Sequence, residues 1–518
     1  MTTDHPTSTI TQLNSTDEIR ILPCFDTIMN EFAAMVRSAT TTIYYSTFLC
    51  IATHQLPGEE AGVTVQQLFT DAANRGVSIS ILYNAEEMYG NIPATQFLDQ
   101  FPTGVRLKTV TGSGRLGPLA KLVSSHQFYS NHHQKYLCVD GQRLMVTGCD
   151  INAERNGWLK LNTRGYYWHE VAVSLPCTVD MYSYICRNFE DGIVVDAPPL
   201  PLTASGKHNS ELAVVVEMIE NCKHFMHIEA QTCTSTQFTK NSIFTALIQR
   251  VELAYRHKET DRFRCFILTN MLMVDESPIV QWSCAQDVLL SRRYLKTGLT
   301  ALGVPWVFVC QRVFMGTMEH NGVHIKIHSN LFIQDSKVML RTSSNLNDRS
   351  FSDKPCDTEM GVLIQGRGDQ VGRFQSLQLA RYLGQPSDSP ADFFDALLRL
   401  VDETTAPAPT EPKSALDQAC LVKPIRLSTF TQERTRVPDA IVNAVMQRVH
   451  KSRVRGGVAS IKWTVTEINT KERAANSQKQ VKNKLILAFI LLFIIMIVLF
   501  IYKRHVARIR MLLTKAKP

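Results

Sequence analysis

The stretch from Asn131 to Gly148 reads NHHQKYLCVDGQRLMVTG and carries the pattern that decides the fold prediction. Apolar and β-branched residues lie on both sides of an Asp140–Gly141 pair, which is typical of two short strands joined by a tight turn. His133 and Lys135 are two positions apart, so on a strand their side chains would share one face, roughly 6.6 Å apart. An imidazole and an ammonium group at this spacing suit a single phosphate group.

A second copy of the pattern, HSNLFIQDSKVMLRTSSN, begins at His328. Each histidine is followed seven residues later by Asp, 15 residues later by a small residue and 17 residues later by a polar one. The matched pairs are His133 and His328, Asp140 and Asp335, Gly148 and Ser343, and Asp150 and Asn345. One short motif can arise by chance, but a repeat at these intervals predicts a tandem duplication.

These motifs resemble those of the phospholipase D superfamily, whose enzymes carry two His-Lys-Asp motifs. The resemblance extends from about Ile43 to Gly384 and also includes WHEVAVSL at Trp168 to Leu175, HIEAQT at His227 to Thr232, and SSNLNDRS followed by CDTEMGVLIQG. One position departs from the family pattern, because Asn330 stands where lysine is expected.

The resemblance implies an α/β fold of two tandem phospholipase D-like α-β-α sandwich domains related by pseudo-twofold symmetry, and the sequence adds a C-terminal transmembrane helix. Alternating strand-like and helix-like segments agree with a sheet covered by helices. The expected segments are a disordered N-terminus (1–20), the first domain (21–196), a Pro-rich linker (197–206), the second domain (207–386), a helix and Pro-rich linker (387–414), a basic membrane-proximal region (415–484), the transmembrane helix (485–502) and a short basic tail (503–518).

Leu485 to Tyr502 is a run of 18 residues without a charge. As a helix it would span roughly 27 Å, which suits a slightly thin bilayer. Since the first 20 residues lack an apolar core, no signal peptide is predicted, and residues 1–484 are expected in the cytosol. The flanking basic residues are nearly symmetrical and do not decide the orientation. The sequence thus predicts a single-pass protein anchored in a membrane by its C-terminal region.

The positive charge of the chain is concentrated near this span. Residues 413–518 hold 21 Lys and Arg against five Asp and Glu, while residues 1–412 hold 34 basic and 42 acidic residues. The basic region would lie along anionic headgroups or form a solvated stalk. The acidic body argues against nucleic acid as a partner, because nucleic-acid binding requires basic surface.

Neither a metal nor a cofactor is predicted. The 13 cysteines form no C-x-x-C pair and are expected to be reduced thiols. His126, His132 and His133 are close in sequence, but no further Cys, Asp or His follows at a metal-site interval. A phosphoenzyme formed on histidine needs no metal.

The resemblance also implies a set of site residues. The catalytic candidates are His133, Lys135, Asp140, His328, Asn330 and Asp335. The candidates that bind or support the phosphate are Gly148, Asp150, Glu170, Lys326, Ser343, Asn345 and Glu359. Within these sets, Glu170 and Glu359 are expected to fix the tautomers of the histidines. Asp140 and Asp335 are expected to support turns and neighbouring backbone.

Asn330 removes a positive charge from this site. His324, Lys326, His328 and Asn330 occupy alternate positions, and if they form one strand, Lys326 shares the catalytic face and supplies the missing charge. Asp150 is also unusual, because a carboxylate repels phosphate unless it pairs with a cation.

Three functions fit these patterns. The first is a membrane-anchored phosphodiesterase that acts on phospholipid headgroups, with a phospholipid membrane as partner and a phospholipid as substrate. The second is a membrane-remodelling protein that keeps the fold with weak or no turnover, which Asn330 favours and the two histidines oppose. The third is a single-strand nuclease of the same fold.

Overall fold

The computed structural model describes residues 18–56, 62–84, 94–101, 105–112, 132–152, 155–190, 202–205, 208–234, 242–271, 278–347, 349–352, 355, 357–384, 386–387, 389–403, 421–425 and 463–467. The chain divides into two compact units, Met1–Thr466 and Glu467–Pro518. Of the second unit, only Glu467 is among the described residues.

The predicted membrane segment 485–502 and the basic tail 503–518 lie outside the described residues, as do nearly all of 1–20 and most of 415–484. Within the described ranges, none of the helices combines the length and the apolar character that a membrane crossing requires.

Strands and helices alternate in the first half, as the sequence predicted. Its strands are β1 (Arg20–Leu22), β2 (Thr42–Thr47), β3 (Ser78–Asn84), β4 (Val105–Gly112), β5 (Tyr136–Val139), β6 (Arg143–Thr147), β7 (Tyr167–His169) and β8 (Ala172–Pro176). Its helices are α1 (Phe25–Ser38), α2 (Val65–Asn74), α3 (Ala94–Leu98) and α4 (Val179–Glu190).

The second half has the same alternation with longer helices. Its strands, with those that follow it, are β9 (Leu202–Ser205), β10 (His208–Asn209), β11 (Phe225–Ala230), β12 (Arg264–Thr269), β13 (Val313–His320), β14 (Val323–Ile327), β15 (Leu331–Gln334), β16 (Val338–Thr342), β17 (Glu359–Ile364), β18 (Val422–Pro424) and β19 (Trp463–Glu467). Its helices are α5 (Ser210–Asn221), α6 (Ser242–Arg256), α7 (Pro278–Ala301), α8 (Trp306–Cys310), α9 (Gly368–Leu383) and α10 (Pro390–Glu403).

Local chemistry explains where these helices begin. Thr64 accepts a hydrogen bond from the backbone N–H of Gln67 while the Gln67 side chain accepts one from the Thr64 backbone, a capping box that starts α2. Asn209 caps α5 in a similar way by accepting from Leu212 N–H. Ser389 accepts from Asp392 N–H at the start of α10, whose first residue is Pro390.

The strands form two sheets with a repeated order. Among the described residues the first sheet has eight strands in the order β1-β8-β6-β5-β2-β3-β4-β19. The second has eleven, in the order β10-β9-β17-β16-β15-β11-β12-β13-β14-β7, with β18 paired to β13. β2, β3 and β4 are parallel, as are β11, β12 and β13; antiparallel strands follow on one side of each trio, beginning with β5, β6 and β8 in the first sheet and with β15, β16 and β17 in the second. This repeated order is what the predicted duplication requires.

The hairpins of the two motifs have matching turns. Asp140 and Gly141 both have positive φ, as do Asp335 and Ser336. The carboxylate of Asp140 accepts hydrogen bonds from backbone N–H groups of residues 40–42, and that of Asp335 accepts from residues 223–225. Both carboxylates therefore support turns and neighbouring backbone, as the sequence suggested.

One apolar core is shared by the two halves. It joins side chains of β5, β6, β8 and α4, such as Tyr136, Val146 and Val173, with side chains of β15, β16, β17 and α9, such as Leu331 and Met360. Burial of this shared surface fixes one half against the other. The ends of β5 and β15 are therefore held in place together.

The predicted linker 197–206 contains a strand. Leu202–Ser205 forms β9, which pairs with the edge strand β17; an unpaired sheet edge recruits backbone regardless of side-chain pattern. The stretch WHEVAVSL contributes to both sheets. It forms β7 in the second sheet and β8 in the first, so Glu170 lies where the chain crosses between sheets.

Candidate active site

The two histidines lie at corresponding places in the two halves. His133 precedes β5, which begins opposite Ser46 near the carboxyl end of β2. His328 precedes β15, which begins opposite Glu229 near the carboxyl end of β11. Carboxyl ends of parallel strands are where open α/β sheets usually bind ligands.

His133 is paired with Glu359 of the other half. Its Nδ1 lies 2.9 Å from Glu359 Oε2, and the Oγ atoms of Ser343 and Ser350 donate to the same carboxylate at 2.5 and 2.7 Å. Burial opposes ionisation of Glu359, but the charge and hydrogen bond of His133, together with Lys135, outweigh it and lower the pKa of this carboxyl. An ionised Glu359 assigns the proton to Nδ1 and leaves Nε2 of His133 for chemistry.

His328 is paired with Glu170 in the same way. Its Nδ1 lies 2.8 Å from Glu170 Oε2, while Arg341 Nη2 donates to Glu170 Oε1 at 3.0 Å. Burial raises the pKa of Glu170 to about 7 against the opposing charge of Arg341. Burial and the nearby charges of Arg155, Lys326 and other cations hold the pKa of His328 well below its usual value. In this second pair the charged forms of both the histidine and the glutamate are thus disfavoured, whereas in the first pair the charged form of Glu359 is favoured.

The two pairs cross between the halves. A parallel bridge joins His132 to Thr358, one residue before each member of the first pair. In the second pair, β14 and β7 place Ile327 beside His169, again one residue before each member. Each half thus contributes one histidine and the glutamate that orients the histidine of the other half.

His133 and Lys135 do not lie on a strand, contrary to the prediction, because β5 begins at Tyr136. They lie in the segment that leads from the bridge to β5, and the Nζ of Lys135 donates to the carbonyl of His133 at 3.1 Å. Burial lowers the pKa of Lys135, while the carboxylates of Asp150 and Glu359 act in the opposite direction. The two side chains are still brought to one site.

Two contacts explain how the carboxylate of Asp150 is tolerated at this motif position. Its Oδ1 accepts from the backbone N–H of Leu49 at 2.9 Å, and its Oδ2 lies 3.7 Å from Nη2 of Arg155. The carboxylate therefore balances the charges of Lys135 and Arg155. Arg155 lies outside the quoted motifs, so the sequence pattern does not indicate its role.

Asn330 does not take the role of the lysine that it replaces. Its Oδ1 accepts from Gln231 N–H at 3.0 Å, and its Nδ2 donates to Ser343 O and Asn345 Oδ1, both at 3.3 Å. It is fully buried and has a φ of 42°. Asn330 is thus a structural link between β11 and the segment after β16, with its amide engaged within the protein.

Lys326 does not share a strand with Asn330, contrary to the prediction. β14 ends at Ile327, and residues 328–330 form a separate segment before β15. Lys326 is buried opposite Trp168 of β7, with its Nζ 5.0 Å from the centre of the indole ring. Because its charge lowers the pKa of His328, it still belongs to the surroundings of the site.

The small residues of the two motifs have different partners. A Cβ added at Gly148 would lie 2.5 Å from Arg341 Nη2 and 3.2 Å from Glu170 Oε1, so glycine leaves the space that Arg341 occupies. At the matching position, Ser343 donates to Glu359 instead. Asn345 accepts from Asn330. Gly148 therefore leaves room for the contact between Arg341 and Glu170, Ser343 holds Glu359, and Asn345 holds Asn330.

A further buried carboxylate lies behind the second pair. Glu229 Oε2 is 2.8 Å from His169 Nε2 and accepts from the Oγ of Ser329, while Tyr382 donates to Oε1. His169 precedes Glu170, and Ser329 follows His328. Glu229 therefore connects the two segments that hold this pair; the motif HIEAQT contained it, but its role was not assigned from the sequence.

The described residues offer no group of three or more His, Cys, Asp or Glu side chains that could hold a metal ion. His132 contacts Ser46 Oγ at 2.7 Å and Thr358 Oγ1 at 2.8 Å, and burial lowers its pKa to about 3. His126, the third histidine of that cluster, lies outside the described residues. The cysteines in the described ranges are free thiols.

Comparison with known proteins gave matches in sequence and in structure, although no family model matches the chain. Phospholipase D1 of Rattus norvegicus is 28% identical over 262 residues, which cover 44% of this chain and 23% of that protein. Phospholipase D2 of Bos taurus is 29% identical over 182 residues, which cover 32% of this chain and 19% of that protein. The chain thus spans about a quarter or less of the length of these curated relatives.

Among solved structures, the phosphatidylserine synthase of Haemophilus influenzae aligns with 75% of this chain and 93% of its own, at 12% identity and a TM-score of 0.44. The sequence matches to phospholipases D are the more informative result. Together with the mixed α/β fold of two sheets, they support a relationship of this chain to the phospholipase D superfamily.

Proposed function

We propose that this protein is a membrane-anchored phosphodiesterase of the phospholipase D type, which cleaves the headgroup phosphodiester of a phospholipid through a phosphohistidine intermediate. The observation that carries the proposal is the pair of crossed His–Glu contacts, His133 with Glu359 and His328 with Glu170. Two histidines that each present one ring nitrogen to a common site suit a two-step displacement at phosphorus.

In the first step, Nε2 of His133 attacks phosphorus. The N–P bond forms as the bond from phosphorus to the leaving oxygen breaks, and protonated His328 gives its proton to that oxygen. In the second step, His328 takes a proton from water or an alcohol, which attacks phosphorus and releases His133. The result is hydrolysis or phosphatidyl transfer, and no metal takes part. Lys135 stabilises the negative charge that develops on the non-bridging oxygens.

The assignment of nucleophile and acid rests on the family resemblance. The low pKa of His328 makes it a weak proton donor in the empty site, while the negative charge of a bound phosphate acts in the opposite direction. Turnover of a phosphorus-labelled lipid, quenched with a denaturant at alkaline pH where the N–P bond of phosphohistidine persists, distinguishes the roles. Label on His133 in His328→Asn supports the assignment, and label on His328 in His133→Asn reverses it.

The membrane location is part of the proposal and is supported by the sequence. The uncharged run 485–502 would anchor the protein, and residues 1–484 would face the cytosol beside their lipid substrate. Protease treatment of sealed microsomes should then digest the body. Asn14 begins the glycosylation sequon Asn14-Ser15-Thr16. Protection of residues 1–484 together with glycosylation at Asn14 would show the opposite orientation.

The direct test of activity uses the full chain in lipid vesicles. Labelled phosphatidylcholine, phosphatidylethanolamine and phosphatidylglycerol are offered with and without a primary alcohol, and single-stranded DNA is offered in parallel. Release of headgroup or transfer to the alcohol, lost in both His133→Ala and His328→Ala, supports the proposal. Cleavage of DNA alone would favour the nuclease.

A second candidate is a membrane-remodelling protein with weak or no turnover. It is favoured by Asn330, whose amide makes three contacts within the protein and brings no charge to the site. Vesicle tubulation or clustering that persists in His133→Ala, without lipid turnover by the wild type, would support this candidate.

A further inference from the structure

Phosphoryl transfer at this site needs positive charge, and position 330 supplies none. The first half provides Lys135 next to His133, whereas the corresponding residue of the second half is Asn330. Because the amide of Asn330 is held by Gln231, Ser343 and Asn345, it is not directed at a substrate. Any second cation for the phosphate must therefore come from another part of the fold.

Arg155 and the second histidine, His328, both contact the indole ring of Trp168. The Cζ of Arg155 is 3.6 Å from the centre of the Trp168 ring, and that ring is 4.8 Å from the ring of His328. Its Nη2 lies 3.7 Å from Asp150 Oδ2, at the motif position where a carboxylate was hard to explain. With 7% of its surface exposed, Arg155 is held between an aromatic face and a buried anion.

We propose that Arg155 is the second phosphate-binding residue of this site and does the work that a lysine at position 330 would do. It rests on the proposed function, because it assigns a residue to that reaction. Arg155 and Lys135 would then bind the two non-bridging oxygens of one phosphodiester.

The chemistry of arginine suits this role. A guanidinium group remains charged even when buried, is planar, and can present two N–H donors to one phosphate. Contact with Trp168 restricts its orientation, so less conformational entropy is lost when phosphate binds. Electrostatics agree with the geometry, since the charge of Arg155 is the largest ionic influence that lowers the pKa of His328, after burial.

The assignment also explains the carboxylate at position 150 and the departure from the family pattern at position 330. Asp150 anchors Arg155 through their ion pair, so a carboxylate close to the phosphate site is tolerated. Because Arg155 and Lys135 both belong to the first half, the second half can use position 330 for structure. The site is therefore symmetrical in its His–Glu pairs and asymmetrical in its cations.

The test compares three variants of the full chain. Arg155→Met keeps the length of the side chain and its packing on Trp168 but removes the charge. Arg155→Lys keeps the charge but removes the planar fork. Arg250→Met is the matched control, because Arg250 is also buried, lies 4.3 Å from the ring of Phe263 and pairs with Asp261 at 2.8 Å, within the core packing of α6.

Two quantities are measured for each variant: kcat/KM on phospholipid vesicles and the affinity for inorganic phosphate by calorimetry. Arg155→Met should lower kcat/KM by roughly 10² to 10³, weaken phosphate binding at least about tenfold, and be partly restored by added guanidinium ion. Arg155→Lys should lose less. Arg250→Met should lower Tm but leave phosphate affinity within about twofold of the wild type.

The inference is overturned if Arg155→Met keeps both kcat/KM and phosphate affinity within about twofold of the wild type. If the wild type turns over no phosphodiester, the proposed function fails, yet the phosphate affinities of wild type and Arg155→Met still decide the role of Arg155. Should Arg155→Met fail to fold, Arg155→Lys takes its place, and an unchanged phosphate affinity there counts against the inference.

Discussion

His328 Nδ1 lies 2.8 Å from Oε2 of Glu170, although 158 residues separate them in the chain. The reciprocal contact joins His133 to Glu359 across 226 residues. Because the contacts cross, neither half can orient its own histidine. The shared apolar core between the halves is therefore a condition for the geometry of the site, as well as a contribution to stability.

The two glutamates should differ in their importance. The charge and hydrogen bond of His133 hold the pKa of Glu359 below its usual value, whereas burial raises the pKa of Glu170 to about 7, so Glu170 is the less readily ionised of the two at pH 7. Glu359→Gln should therefore lower kcat by roughly 10² or more, and Glu170→Gln by about tenfold, measured at pH 7 on lipid vesicles. Equal losses in the two variants would show that the electrostatic difference has no effect on turnover.

The sequence predicted the parts of the site that follow from local spacing. The hairpins and their turn aspartates came from motif intervals, and the two glutamates were implied by the family resemblance; the contacts of Asp140, Glu170 and Glu359 agree with both. The prediction that Lys326 and Asn330 lie on one strand is wrong, because one strand ends at Ile327 and the next begins at Leu331.

Contacts between distant segments were beyond sequence reasoning. Arg155 is in no motif, and its position depends on Trp168 of the strand that pairs with β14. The edge strand β9 has a composition typical of a linker, so only the open edge of β17 determines its structure. Neither relationship has a periodic signal in the sequence.

Restoring the family lysine at position 330 should be harmful. Lysine cannot replace the three amide contacts of Asn330, would be fully buried, and is disfavoured at a φ of 42°. Asn330→Lys should therefore lower the free energy of unfolding by about 2 to 4 kcal/mol, measured by urea denaturation, and should not raise kcat. A stable Asn330→Lys variant with higher turnover would show that position 330 can face the substrate.

Lys326 should influence His328 mainly through its charge. Since that charge lowers the pKa of His328, Lys326→Met should raise this pKa, as followed by the imidazole resonances in a pH titration. The loss in kcat should be about tenfold, less than the 10² to 10³ typical of a lost oxyanion donor. Lys296→Met is the matched control, because Lys296 also lies over an indole ring, 5.4 Å from the centre of Trp306. An unchanged His328 titration in Lys326→Met would contradict the prediction.

Gly148 should not tolerate a side chain. In Gly148→Ala, the new Cβ would lie 2.5 Å from Arg341 Nη2, so Arg341 would have to leave Glu170. We expect a loss of about 1 to 3 kcal/mol in the free energy of unfolding and a lower kcat, from displacement of the Glu170 carboxylate. In the control Gly372→Ala, the substituted residue lies inside α9 and its nearest atom is Ser336 O at 3.5 Å, an ordinary contact. Stability should therefore be unchanged or higher. Similar stability for both variants would mean that Arg341 has room to move.

Glu211 should make stability fall as pH rises. It is fully buried and accepts from Thr342 Oγ1 at 2.7 Å, and burial raises its pKa from the ordinary 4.5 of a glutamate to about 8. Below pH 4.5 the folded and unfolded states both hold the proton, whereas between 4.5 and about 8 only the folded state holds it, so its stabilising effect is lost as pH rises through this window. Glu211→Gln cannot ionise, so its stability relative to the wild type should increase by up to about 1.4 kcal/mol per pH unit.

Urea denaturation at pH 5, 7 and 9 measures this change in the full chain. Asp261→Asn is the control of opposite sign, because the hydrogen bond from Arg250 outweighs burial and lowers the pKa of Asp261. Its carboxylate stabilises the fold at every pH above its unfolded pKa of about 3.8, so the cost of Asp261→Asn should be constant from pH 5 to 9 and should decrease only when the series is extended below about pH 4. A difference in unfolding free energy between Glu211→Gln and the wild type that stays constant from pH 5 to 9 would contradict the prediction. Glu211 would then be ionised in the folded protein, and a cation that reaches its buried carboxylate would have to neutralise it.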